Sequence, residues 1–127
     1  MTILKIQEER FIKLKSTTFA EEKIREVNDL QKYLVNSIDV VEEGLFVLCT
    51  EFRGWEDSNR SIDILCLDKN GNLVVIELKR TEDGGHMDLQ AIRYAAMVAN
   101  MTFDQANEEY SKYIKKLYLQ LTRRVKD

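Results

Sequence analysis

The chain contains no proline, one histidine, two cysteines and five glycines in 127 residues. With no proline there is no proline-rich linker, and no internal repeat or low-complexity tract divides the chain. The single histidine, His86, lies in a loop-like stretch, so a histidine-based metal site is not expected. Cys49 and Cys66 both sit in apolar, strand-like runs, which points to buried thiols rather than a disulfide or a metal site. No apolar run is long enough to cross a bilayer and no signal peptide is visible, so the expected location is cytoplasmic. An excess of base is also missing: the net charge is −3, which argues against a strong autonomous nucleic-acid binder.

What is present supports one soluble domain with a modest core, expected to span residues 1–127. Its apolar fraction of 44% and charged fraction of 32% are ordinary for a globular protein. The rest of the chain is organised around Ser61–Arg80, S-I-D-I-L-C-L-D-K-N-G-N-L-V-V-I-E-L-K-R. The alternation predicts two strands that are apolar on both faces, and therefore a central hairpin. Asp63, Glu77 and Lys79 break that pattern.

The turn decides whether these three meet. A two-residue type I′ turn at Asn70-Gly71 would pair Asp63 with Leu78 and send Asp63 and Glu77 to opposite faces. A three-residue loop, Lys69-Asn70-Gly71, closed by Asp68 and Asn72, would set Asp63 opposite Glu77 and cluster Asp63, Glu77 and Lys79. Asp68 at the first position and Gly71 at the fourth suit a type I turn with a glycine bulge, and favour the second arrangement. Adjacent carboxylates repel and are costly to bury without a cation. A divalent metal such as magnesium removes that cost, and a lysine nearby can hold a nucleophilic water or stabilise an oxyanion. A buried structural ion pair is the competing reading of the same residues.

This stretch resembles the core of the PD-(D/E)XK nuclease superfamily, the restriction-endonuclease-like fold. The nearest likeness is to the branch of mismatch-specific and single-strand-specific endonucleases of archaea and actinobacteria, with their bacterial relatives. The likeness covers roughly residues 19 to 100. It rests on Asp63 on one strand, a short hairpin, Glu77 and Lys79 as E-x-K, and Gln90 and Tyr94 in the following D-L-Q-A-I-R-Y. Ile62 stands where the family name expects proline.

The resemblance implies an α/β (α+β) fold with an αβββα core, and a Mg²⁺- or Mn²⁺-dependent endodeoxyribonuclease acting on DNA. It implies that Asp63, Glu77 and the carbonyl of Leu78 hold the metal, that Lys79 orients or activates water, and that Gln90 and Tyr94 order the site. Glu26, in E-V-N-D-L-Q, matches the glutamate that the first helix of such nucleases often contributes, and Gln31 is a weaker candidate for the same neighbourhood. An exposed glutamate in a charged helix is the other reading of Glu26. The alternative to an enzyme is a non-catalytic nucleic-acid- or protein-binding module on the same fold.

The remaining elements follow in order. Residues 3 to 14 predict a hairpin turning at Gln7-Glu8-Glu9-Arg10, within an N-terminal segment 1–15. A helix is predicted from Phe19 to Val35, on the spacing of Ile24, Val27, Leu30 and Leu34. A strand runs from Leu45 to Phe52, followed by a loop carrying Arg53, Trp55 and Arg60. Arg53, Trp55, Arg60 and Arg80 are candidates for stacking on bases or gripping phosphates, although a tryptophan there more often caps the core. T-E-D-G-G-H connects to a helix from His86 to Asn100 whose apolar residues are Met87, Ala91, Ile92, Ala95, Val98 and Ala99.

A last helix spans Met101–Leu121, essentially residues 102–122, N-capped by Thr102 with Gln105 and striped by Tyr110, Ile114, Leu117 and Leu121. Its apolar Tyr113–Leu121 stripe suggests an oligomer contact, a homodimer in the simplest case. Residues 112–126 are basic and could bind phosphates or be a solvated helix face. The fourth strand usual in the nuclease core does not follow. The expectation is that the chain is the N-terminal part of a longer protein, takes the strand from a partner, or dispenses with it.

Overall fold

The computed structural model describes residues 1–54, 60–79 and 87–126. Helices and antiparallel sheets are mixed, an α+β architecture. A hairpin, β1 (Leu4–Gln7) and β2 (Arg10–Lys13), comes first. Its two-residue turn places Glu8 and Glu9 at φ of 50° and 60°, the left-handed pair that a type I′ turn needs and that glycine or asparagine would take more cheaply.

Three strands, β3 (Phe46–Phe52), β4 (Ile62–Leu67) and β5 (Leu73–Ile76), form an antiparallel sheet in the order β3-β4-β5. β4 is its middle strand, and Ile62, Ile64, Leu65 and Cys66 have no exposed surface. Among the described residues β5 is an edge, so only one arm of the hairpin is central.

The β4–β5 turn takes the three-residue form. The Asp68 amide donates to the Asn72 carbonyl (2.9 Å), the Gly71 amide donates to the Asp68 carbonyl (3.1 Å), and Gly71 has φ +81°. The Asp68 carboxylate fixes the turn by accepting from the amides of Asn70 and Asn72, both at 2.8 Å. Ile64 therefore pairs with Ile76 and Leu65 with Val75, and the next pair along is Asp63 with Glu77. A second irregularity lies between Val47 and Cys49, where Leu48 is the extra residue of a β-bulge. Beyond it Thr50 pairs with Ile64 and Phe52 with Ile62, which sets Glu51 opposite Asp63.

The sheet is covered on both faces. Ile64, Cys66, Leu45 and Leu78 pack with Leu30, Leu34, Val35 and Ile38 from the first helical region. Leu48, Cys49, Phe52 and Leu65 pack with Tyr94, Val98, Ala106, Tyr110 and Tyr113 from α2 (Met87–Val98) and α3 (Phe103–Lys126). Cys49 and Cys66 are free and buried, and burial pushes their thiols up to about 12 and about 11. They remain protonated and unreactive near neutral pH.

Three predicted elements differ from those observed. The helix expected from Phe19 begins only at Glu26: Lys23 enters the left-handed region at φ 56°, and Arg25 is extended. Glu26–Gln31 then forms a π-helical turn, with the Leu30 amide bonded to the Arg25 carbonyl (2.9 Å), before α1 (Lys32–Asn36). In α2 the buried stripe is Tyr94 and Val98, while Ile92 is 66% exposed, because a three-stranded sheet covers only one stripe of the helix. In α3 the buried side runs through Ala106, Tyr110, Tyr113 and Leu117, while Ile114 and Leu121 face solvent.

A Cβ added to Gly71 would meet no atom within 4 Å, so Gly71→Ala faces only backbone strain. We expect it to cost about 1 kcal/mol in urea unfolding. Asn70→Ala, at a residue outside the positive-φ set, should be close to neutral. Equal losses at the two positions would contradict the three-residue turn.

Candidate active site

The glycine turn and the Leu48 bulge together put three carboxylates, Glu51, Asp63 and Glu77, in one row across β3, β4 and the end of β5. The Asp63 carboxylate accepts from the Leu78 amide at 2.7 Å. Its pKa is nevertheless raised, first by burial and then, against that hydrogen bond, by the charges of Glu51 and Glu26. Glu77 is pushed up to about 7 by burial and by Asp63, while the Asp63 amide and the Lys79 ammonium pull the other way. One oxygen of Glu77, Oε1, is buried and has no hydrogen-bond partner. A buried oxygen left without a donor costs free energy.

Lys79 and Glu26 approach each other at the rim, Nζ to Oε1 at 4.0 Å, each with about a third of its side chain exposed (34%). Gln31 lies five positions after Glu26. In an α-helix they would point about 140° apart, but the i→i+5 bonding of the π-turn brings them towards one side. Glu26 thus meets Lys79, while Gln31, the one buried polar residue among those described, reaches under the sheet. Its amide nitrogen donates to Glu51 Oε1 and to the Asp63 carbonyl, both at 2.8 Å. The other Glu51 oxygen accepts from Ser61 Oγ at 3.0 Å.

Glu51 is the residue that sequence reasoning missed. It reads as an ordinary polar position near a strand end, and only the bulge at Leu48 brings it opposite Asp63. Its φ of 53° is unusual for a non-glycine strand residue, and such strain is commonly held at functional sites.

The other candidates lie further from the row. Tyr94 is 1% exposed and packs in the core with Leu48, Phe52, Ile62 and Leu65, and its hydroxyl accepts from Gln90 Nε2 at 3.2 Å. Its visible role is packing. Arg60 and Gln90, with Leu89 and Arg93, line a groove of about 400 Å³. Nothing in the sequence pattern singles out Arg93. Arg53 is exposed just after the strand that ends at Phe52. Trp55, Arg80 and the T-E-D-G-G-H connection lie outside the described residues.

Among the described residues no three His, Cys, Asp or Glu side chains converge closely enough to hold a metal by themselves. Magnesium does not require that: it keeps several waters and is commonly bound by one or two carboxylates together with substrate phosphate. Asp63 and the unpartnered Glu77 oxygen supply hard donors of that kind, with the negative charges of Glu51 and Glu26 behind them. The residues present fit a magnesium-like ion.

The sequence profile of the endonuclease NucS C-terminal domain matches residues 26–108, from the π-turn through the start of α3. Endonuclease NucS of Pyrococcus horikoshii is 32% identical over 87 residues, which cover 68% of this chain and 30% of that protein's length. No solved structure matches the chain significantly. The carboxylate row, Lys79, Gln90 and Tyr94 all fall inside the matched region, and the chain belongs to the endonuclease NucS C-terminal domain family.

Proposed function

We propose that this chain is the catalytic domain of a metal-dependent nuclease of the PD-(D/E)XK type that hydrolyses DNA phosphodiester bonds. The observation that carries the reading is the buried, unpartnered Glu77 oxygen beside Asp63, a carboxylate whose pKa is pushed up to about 7 by burial and by the Asp63 charge. Asp63 and Glu77 would hold Mg²⁺ or Mn²⁺, with the Leu78 carbonyl as a third donor. The bound ion would supply Lewis-acid stabilisation of the phosphoryl oxygens and a more acidic water.

The chain's own groups then have separate tasks. Lys79 holds the attacking water and stabilises developing negative charge, and Glu26 keeps the ammonium at the rim. The Leu78 amide fixes one Asp63 oxygen, leaving the other for the ion. Gln31 and Ser61 hold Glu51, whose charge strengthens the local negative field without occupying the row's cation position. Arg60 and Arg93 line the groove beside Gln90 and suit the phosphates flanking the cleaved bond.

Titration of Mn²⁺ into the chain at pH 8 should show binding that Asp63→Asn and Glu77→Gln abolish. Because Glu77 must lose its proton first, the affinity should fall about tenfold per pH unit below about 7. A wild type that binds no Mn²⁺ at pH 8 would sink the proposal.

Lys79→Ala should leave Mn²⁺ binding within a few-fold of wild type and slow cleavage of mismatched, branched or single-stranded DNA by roughly 10²–10³. Unchanged cleavage in that variant would remove Lys79 from the mechanism.

Stability gives a third check. Glu77 has a folded pKa above its ordinary 4.5, so its contribution is fully present below about 4.5 and is lost as pH rises through about 7. In EDTA at pH 8, Glu77→Gln should therefore melt above wild type, with the gap closing near pH 4.5. Saturating Mn²⁺ should reverse the order at pH 8.

A further inference from the structure

The segment after Glu109 has no carboxylate before residue 127, yet contains Lys112, Lys115, Lys116, Arg123, Arg124 and Lys126. In a chain of net charge −3 this leaves −9 on everything else. All of this basic segment lies beyond the residues matched by the NucS profile, which end at 108.

α3 spreads its charges unevenly around its axis. At about 100° per residue, Lys112, Lys115, Lys116 and Arg123 fall within an arc of about 100°, together with Leu119. The same residues and Gln120 line a groove of about 460 Å³. Ala106, Tyr110, Tyr113 and Leu117 lie on the opposite side, turned to the core. Lys112 is held by Glu108 and Glu109 at 3.1 and 3.0 Å. Lys115, Lys116 and Arg123 form no ion pair within the described chain, and all three are exposed.

We propose that this basic arc of α3 is a second contact for the phosphate backbone of a nucleic acid, separate from the carboxylate row. The occupant follows from charge and direction. A bilayer-surface helix inserts one continuous apolar face, but along the first half of α3 the apolar residues pack on the sheet, and the exposed Ile114, Tyr118, Leu121 and Val125 lie outside the basic arc. What it offers is a line of cations about 16 Å long, the length of about five nucleotides along one strand. A second copy of this chain would bring its own acidic remainder, but with no repeating register to match the line.

The carboxylate row itself repels phosphate, so a polyanion needs an anchor elsewhere. The arc lies at the other end of the sheet from that row. Tyr110 packs on Phe46, ring centroids 5.0 Å apart, at the end of β3 opposite Glu51. Lys115–Arg123 extend a further 8–20 Å or so along the helix from there.

This inference rests on the proposed action on DNA. The test is fluorescence anisotropy of a labelled 20-nucleotide DNA, single-stranded and duplex, from 50 to 300 mM NaCl in EDTA, where no cleavage occurs. The triple variant Lys115→Gln/Lys116→Gln/Arg123→Gln is compared with wild type and with Lys115→Arg/Lys116→Arg. We expect the triple variant to bind at least tenfold more weakly at 50 mM NaCl. Its slope of log affinity against log salt should be shallower by roughly 2–3, and the arginine variant should match wild type.

An unchanged slope, or a wild type that binds neither DNA, overturns the proposal. So does loss of binding to phosphatidylserine vesicles with DNA binding intact, which would identify a membrane surface. A wild type that does not cleave the same DNA in Mn²⁺ but shows the expected slope change in EDTA would refute the nuclease reading and leave the basic arc standing. An unchanged slope in a chain that does cleave would do the reverse.

Discussion

Glu51, Asp63 and Glu77 stand on three neighbouring strands, and the burial of Asp63 and Glu77 next to one another in the sheet is the constraint to which the surrounding structure answers. Left in an apolar sheet, such a row would drive the strands apart or force protons onto its members. The protein answers with donors from every side. The Leu78 amide, the Ser61 hydroxyl and the Gln31 amide each take up part of the negative charge, and Lys79 sits at the rim. One oxygen, Oε1 of Glu77, is left over with no donor, so the polar core is not fully satisfied by the chain's own groups.

The first helical region is best understood as part of that answer. A regular α-helix would have brought either Glu26 or Gln31 to the sheet, but not both. The π-turn brings both, at the cost of a less favourable backbone. Asp29 helps to hold it by accepting from the Arg25 amide at 2.8 Å and from its guanidinium at 3.0 Å. The same helical region closes one face of the sheet through Leu30, Leu34, Val35 and Ile38, so site and core share one element.

The sequence made some of this readable and hid the rest for physical reasons. Asp68 and Gly71 announce the turn type, because one supplies a side-chain acceptor and the other a left-handed backbone, and from that turn the facing of Asp63 and Glu77 follows. The mixed helix-and-sheet class is similarly visible in the alternation of the strands. The bulge at Leu48 has no such signature, since leucine is an ordinary strand residue, and with the bulge unseen Glu51 stayed hidden. The π-turn was invisible because apolar spacing in this stretch fits a 3.6-residue period well enough. The stripe of α3 expected through Ile114 and Leu121 is exposed there, because periodicity gives the faces of a helix but not the width or length of what covers them.

Both cross-strand alignments in the carboxylate row depend on an odd residue, one at Leu48 and one at Gly71. Side chains in a strand change face with every step, so the site is encoded by the parity of two segment lengths as much as by the identity of its acids. A single-residue deletion in the Lys69–Gly71 loop would keep every acidic residue in the gene and still turn Glu77 away from Asp63. Comparison of relatives by motif alone would score such a sequence as intact; counting the residues between Asp63 and Glu77 would not.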